Sequence, residues 1–436
     1  MTDSYRMRSK TVMFERLSDT DAVTVSPPRI SRRAAIATTG VGLLGAVAGA
    51  SLSSPSPATA MQATPVADGE QALTADLQLA LTNTVLSVLG NSNLPGAIVS
   101  VSIPEQGTWS IATGLGDVTN ATPIRLNDHF RIASITKTFV ATVALQLVDE
   151  GQLSLDDRLS QFVEGVPNGD EITLRQLLGM TGGIYNFIYD PVIAVDYDQN
   201  PLLPFQPKEA IDIVRAHGQA DFAPGEKFVY SDSNYILLGT IIEQVTGRTI
   251  ADEITDRIIV PLGLENTSFP VGSSDIPQPF AHGYAATGPG APLRDVTHSN
   301  PDVAWAAGAM ISTLQDLHTW SNALVAGTLL SPETQAERLT FTNMITEPVT
   351  FGYGLGIMNI AGILGHSGGI LGYGTWMMQD EATGITVVQM TNFGSTEGDP
   401  WSQFLILRLL AHLLPDSGLT VLLEDFAAAA AATPTP

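Results

Sequence analysis

The sequence contains no cysteine in 436 residues. That excludes disulfides, thiolate metal sites, a cysteine nucleophile and a lipid-modified cysteine anchor. Cations are scarce as well: 20 Lys and Arg stand against 44 Asp and Glu, a net charge of -24, and no Lys/Arg-rich run occurs after residue 60. Phosphate binding needs clustered cations and their counterion release, so nucleic acids are excluded as partners. Only 15% of residues are charged while 44% are hydrophobic, which excludes a disordered chain and demands a substantial core. No internal repeat is visible.

The first sixty residues read as an address. Ser31-Arg32-Arg33 precedes a mildly apolar stretch, Ala34 to Ala50, and Pro57 to Ala60 offers small residues where a signal peptidase cuts. The paired arginines predict a twin-arginine type signal over residues 1–60 and export to the secreted or extracytoplasmic side. A retained anchor is the alternative, but Gly and Thr weaken the stretch, so no stable membrane span is expected in the mature form.

Beyond this segment the pattern divides into three. Residues 61–128 hold a helical repeat from Glu70 to Leu89, then two β-rich runs, Ala97 to Ile103 and Thr108 to Gly114, around a turn at Pro104 to Gly107. Residues 129–339 carry helical patterns at 135–149, 208–217, 234–246, 251–259 and 313–326, joined by Pro/Gly-rich loops. Residues 340–424 return to β character, with runs at Gly352 to Ile360, Ile363 to His366, Tyr373 to Gln379 and Ile385 to Thr391, then an apolar helix from Ser402 to Leu413. Residues 425–436 form a low-complexity tail. The expected fold is α/β of the α+β kind: a mostly antiparallel sheet built from both chain ends and flanked by helices, plus an inserted, mainly helical domain.

Three boxes carry candidate chemistry. Ser134-Ile135-Thr136-Lys137 opens the strongest helix, and residues at i and i+3 share a helix face, so the hydroxyl and the amine can meet. The N-H groups of a helix start are free to hold an oxyanion, here from Ser134 itself. Lysine serves as base only if burial or nearby positive potential lowers its pKa. Tyr230-Ser231-Asp232 forms a loop before the next helix, where a phenol can relay a proton. Gly365-His366-Ser367-Gly368-Gly369 is a glycine-rich strand that lets a substrate backbone approach, with an N-H on offer from Gly369. The same pentapeptide also fits a G-x-S-x-G nucleophile elbow on Ser367. An elbow needs a helix directly afterwards, then an acid and a histidine; the residues that follow are β-like, and the only later histidine is His412.

Together the boxes resemble the serine β-lactamase and D-alanyl-D-alanine carboxypeptidase superfamily, in its branch with Ser-x-x-Lys, Tyr-Ser-Asn and His-x-Gly. Leu177 to Thr181, Pro261 to Leu264, Ala306 to Thr313 and Gly352 to Gly356 extend the likeness over most of residues 70–415. The resemblance implies Ser134 as nucleophile, Lys137 as its activating partner, Tyr230 as proton shuttle and His366 where many relatives have lysine. It further implies Gly369 as oxyanion donor, beside Gly368, and Ser367 as a hydrogen-bonding partner for a substrate carboxylate. No metal or organic cofactor is implied, and the partner is a small-molecule or peptide substrate: a peptidoglycan-type peptide, a β-lactam or an ester. The leading expectation is a D-Ala-D-Ala carboxypeptidase-like hydrolase, with an esterase or other acyl hydrolase as alternative, and a β-lactamase or a non-catalytic penicillin-binding sensor behind it.

Two departures from the branch stand out. Asp232 replaces the usual asparagine and, as a carboxylate, only accepts hydrogen bonds. It should also favour the Lys137 ammonium and shift the proton path toward Tyr230. No Lys or Arg lies between Arg338 and Arg408, the strip holding the third box. A substrate carboxylate would then rely on Ser367, on backbone N-H groups, or on Arg294 reaching in.

Overall fold

The computed structural model describes residues 62–63 and 72–423, apart from 198, 288–290, 348 and 395–399. The expected signal over residues 1–60 and the tail over 425–436 lie outside the described residues. Among those described, no helix is long and apolar enough to cross a membrane.

A ten-stranded sheet forms the frame, and every strand in it pairs antiparallel. Its order runs Gln62–Ala63, Gly107–Asp117, Gly96–Ile103, Thr386–Thr391, Tyr373–Asp380, Ile363–Ile370, Met358–Ile360, Phe351–Tyr353 and Thr342–Ile345, with Thr122–Pro123 set against Gly107–Asp117. Strands from the two ends of the chain meet in the middle, where Gly96–Ile103 pairs with Thr386–Thr391. Every residue of Thr386–Thr391 is buried, because helices cover both faces. Ala75–Gly90 packs on Pro400–Leu413, which lies against the central strands, and Leu314–Ala326 also packs on them.

Thr136–Asp149 is the axis of the helical part. Its residues from Thr136 to Leu145 are all buried, the mark of a helix enclosed on every side. Phe139 stacks on Trp320 at 4.2 Å, and the Trp320 indole donates to Thr138 Oγ1 at 2.8 Å.

Several expected boundaries move. The first helix starts at Ala75, where the Thr74 side chain accepts from the Leu77 N-H; its expected start, Glu70, lies outside the described residues. The pattern at 251–259 is an α-helix only over Ile250–Ile254 and widens into a π-turn over Thr255–Ile259. The run Gly352 to Ile360 is two strands, Phe351–Tyr353 and Met358–Ile360, folded on each other by the turn at Gly354 to Ile357. Gly356 has φ 77°, and a Cβ there would meet Ala141 Cβ at 2.3 Å, so this turn seats directly on the central helix. The middle region also holds two short ribbons, Phe130–Arg131 with Ile311–Ser312 and Tyr284–Ala285 with Arg294–Asp295.

Candidate active site

Ser134 sits in a short 3-10 turn, Ala133–Ile135, that leads into Thr136–Asp149. Ala133, just before it, has φ 47°, in the left-handed region that a residue with a Cβ rarely takes. Such strain costs on the order of 1–3 kcal/mol and persists only where the surroundings fix it. Here the Ile132 N-H donates to Met310 O at 2.9 Å, and the Met310 N-H donates to Thr136 Oγ1 at 3.1 Å. On the other side Gly368 lies so close that a Cβ would stand 2.2 Å from Ile132 O. Strand and turn together hold the serine half-buried.

Lys137 is fully buried, and its Nζ has three partners: Ser134 Oγ at 2.9 Å, Asp232 Oδ1 at 2.6 Å and Ala307 O at 2.8 Å. A carbonyl and a carboxylate can only accept, whereas a hydroxyl can accept or donate. A neutral Lys137 therefore spends its two N-H donors on Ala307 and Asp232 and turns its lone pair to the Ser134 O-H. Burial pulls the Lys137 pKa down, and the Asp232 charge and hydrogen bond push it back without cancelling the effect. The expectation that Asp232 would tip the lysine toward its ammonium thus meets a larger opposing effect, desolvation.

Tyr230 leans over the same amine, its ring centroid 4.9 Å from Lys137 Nζ. Burial first, then the Asp232 charge, drive its phenol well above the usual pKa, against a hydrogen bond with Ser134 that draws it down. The phenol keeps its proton at neutral pH and can only pass it on in exchange for another.

The glycine-rich box is longer than expected, a single strand Ile363–Ile370, because glycines dilute the β signal that marks it. It is a sheet edge only in its second half: Ile363 to Gly365 pair on both sides, while His366 to Ile370 pair with Tyr373–Asp380 alone. The Ser367 N-H points to the open side, 3.4 Å from Met358 Sδ. Alternation along the strand sends the Gly369 N-H the same way, and the space around Gly369 is open. Ser367 Oγ meets Met358 Sδ at 3.8 Å. No helix follows Ser367, so the elbow lacks its supporting geometry. Arg294 lies in its ribbon, opposite Ala285.

His366 is buried beside Tyr230, with ring centroids 6.4 Å apart. Its Nδ1 faces the Ser367 carbonyl, which only accepts, so that nitrogen carries the proton. Nε2 is then left to accept from the Tyr353 hydroxyl at 3.0 Å. Burial and the nearby Lys137 depress its pKa to about 3, leaving a neutral imidazole.

Ser134, Lys137, Tyr230, Asp232 and His366 thus form one connected cluster, with Gly368 and Gly369 on its strand wall. Three participants escaped the sequence reading: the Ala307 carbonyl, Tyr353, and Asn186, whose Oδ1 accepts from the Asp232 N-H at 3.2 Å. Ala306 to Gly308 and Gly352 to Gly356 were visible as runs of small residues, but backbone carbonyls carry no sequence signal. No group of three or more His, Asp or Glu that could hold a metal ion occurs among the described residues.

Comparison with known proteins gives a match to the Beta-lactamase family over residues 72–408. Penicillin-binding protein 4* of Bacillus subtilis is 25% identical over 320 residues, 69% of this chain and 68% of that protein. D-aminopeptidase of Brucella anthropi is 26% identical over 69% of this chain but only 56% of its own length, so the chain spans little more than half of that relative. Among solved structures, a D-stereospecific amidohydrolase from a Streptomyces species aligns with a TM-score of 0.69 and 34% identity, over 77% of this chain and 98% of that one.

Proposed function

We propose, from the premise that this chain belongs to the Beta-lactamase family, that it hydrolyses amides of D-configured amino acids or short peptides through an acyl-enzyme on Ser134. The observation that carries the reading is Lys137 Nζ at 2.9 Å from Ser134 Oγ, with its remaining donors committed to Asp232 and Ala307. That arrangement takes up the serine proton as Oγ attacks the carbonyl carbon. The N-H groups of Ser134 and Gly369 hold the resulting oxyanion. Tyr230 hands its proton to the departing amine and recovers one from the Lys137 side, and water then releases the acyl group.

Charge separates the amide reading from the D-Ala-D-Ala carboxypeptidase one. A peptidase that grips a terminal carboxylate needs a cation in the cleft. Of the box residues only Lys137 is basic, and its buried amine is committed to Ser134, Asp232 and Ala307; His366 is neutral. An amide or ester has no terminal carboxylate to grip. The names of the Streptomyces and Brucella relatives supply the D-amide class. On the twin-arginine reading of residues 1–60, the enzyme works outside the cytoplasm.

The test is turnover of a D-amino acid amide, a D-Ala-D-Ala peptide, a penicillin and a p-nitrophenyl ester, with Ser134→Ala and Ser367→Ala alongside. Amide and ester turnover, lost by at least about 10³-fold in Ser134→Ala and retained in Ser367→Ala, is the expected result. Preferential cleavage of the carboxylate-terminated peptide would return the enzyme to the carboxypeptidase class.

A further inference from the structure

Asp232 has one oxygen in use and one to spare. Oδ1 binds Lys137, while among the described residues no donor meets Oδ2, and the side chain is 16% exposed. The carboxylate also leaves its own helix uncapped: Asp232 precedes Ser233–Thr246, yet its side chain makes no capping bond. Its backbone is pinned instead, by the N-H to Asn186 Oδ1 and by a buried Ser233 whose Oγ donates to Tyr185 O at 2.7 Å. A carboxylate so held repels a carbonyl and welcomes a donor.

We propose that Asp232 determines specificity by binding a free α-ammonium on the acyl side of the substrate, so that the preferred substrate is an unacylated amino acid amide rather than an N-acylated peptide. This inference rests on the amide reading of the site. An α-nitrogen lies about 2.5 Å from the carbonyl carbon under attack. Lys137 Nζ stands 2.6 Å from Asp232 Oδ1 and 2.9 Å from Ser134 Oγ, so the carboxylate and the attacking hydroxyl are neighbours of one amine and the α-nitrogen of a substrate on Ser134 arrives beside that carboxylate. The charges fit the same assignment. Lys137 acts as base in its neutral form, and the Asp232 charge then lacks a counter-ion in a partly buried place; the substrate ammonium supplies it. An N-acyl group would put a neutral amide there and leave the carboxylate unbalanced.

The experiment compares D-phenylalaninamide with N-acetyl-D-phenylalaninamide on the full chain, in wild type, Asp232→Asn and Asp232→Glu. In wild type, kcat/KM for the free amine should exceed that for the acetylated amide by at least 100-fold. Asp232→Asn should cut this ratio at least tenfold, and Asp232→Glu, which keeps the charge, should preserve the preference for the amine. Equal use of both amides by wild type would overturn the inference. So would a parallel fall of both in Asp232→Asn, which would make Asp232 a partner of Lys137 only. If neither amide reacts while a p-nitrophenyl ester still acylates Ser134, the amide reading itself has failed, and the inference with it.

Discussion

At the scale of single residues, the site depends on two groups, Lys137 and His366, whose charged forms burial disfavours. Asp232 raises the Lys137 pKa against desolvation, so removing its charge should let the amine lose its proton in more acidic solution. The acid limb of kcat/KM for an uncharged ester should therefore move to lower pH in Asp232→Asn; an upward move would show that Lys137 is not the base. His366 has the opposite kind of consequence, on stability. Its folded pKa is about 3 against about 6.5 in an unfolded chain, so the unfolded state binds more protons between those values and stability falls as pH drops through that window. The contribution is about 3 kcal/mol by pH 4. Thermal melts of wild type and His366→Gln, compared at pH 7 and pH 4, should show a smaller acid loss in the variant.

Among elements, the decisive contact is that of the strand Ile363–Ile370 against the turn Ala133–Ile135. A Cβ at Gly368 would stand 2.2 Å from Ile132 O, whereas one at Gly369 would meet nothing within 4 Å. Gly368→Ala should thus lower stability by about 1–3 kcal/mol and cut kcat/KM at least tenfold, while Gly369→Ala melts like wild type. Melting curves and initial rates on the two variants decide it. This contact also marks the limit of what could be read beforehand. The helix Thr136–Asp149 was legible because its apolar residues recur at helical spacing, and the strands Gly96–Ile103, Gly107–Asp117, Tyr373–Asp380 and Thr386–Thr391 because each carries a β-branched or aromatic run. The split between Phe351–Tyr353 and Met358–Ile360 was not, since Gly354 and Gly356 interrupt a run that remains apolar throughout. Ser134, Lys137, Tyr230 and His366 could be expected to converge only through the resemblance of their three boxes, taken together, to a known superfamily. Ala307 and Tyr353 could not be, because one acts through its main chain and the other only through the histidine it touches.

For the molecule as a whole, the excess of acid over base sets the field in which substrates arrive. A net charge of -24 attracts cations and repels anions over a Debye length of about 8 Å at physiological salt. If the substrate carries an ammonium, kcat/KM should fall as ionic strength rises from about 10 to 150 mM, while that for a neutral ester stays level. Stopped or steady-state rates across a salt series provide the measurement.

The pairing of Gly96–Ile103 with Thr386–Thr391 governs when reactivity begins. During synthesis the serine, its amine and the phenol all emerge long before the wall that carries Gly368 and Gly369. That wall cannot find its place until Tyr373–Asp380 and Thr386–Thr391 have joined the sheet. A polypeptide that has not yet supplied Tyr373–Asp380 and Thr386–Thr391 should accordingly lack the strand wall of the site, and turnover should await those two strands.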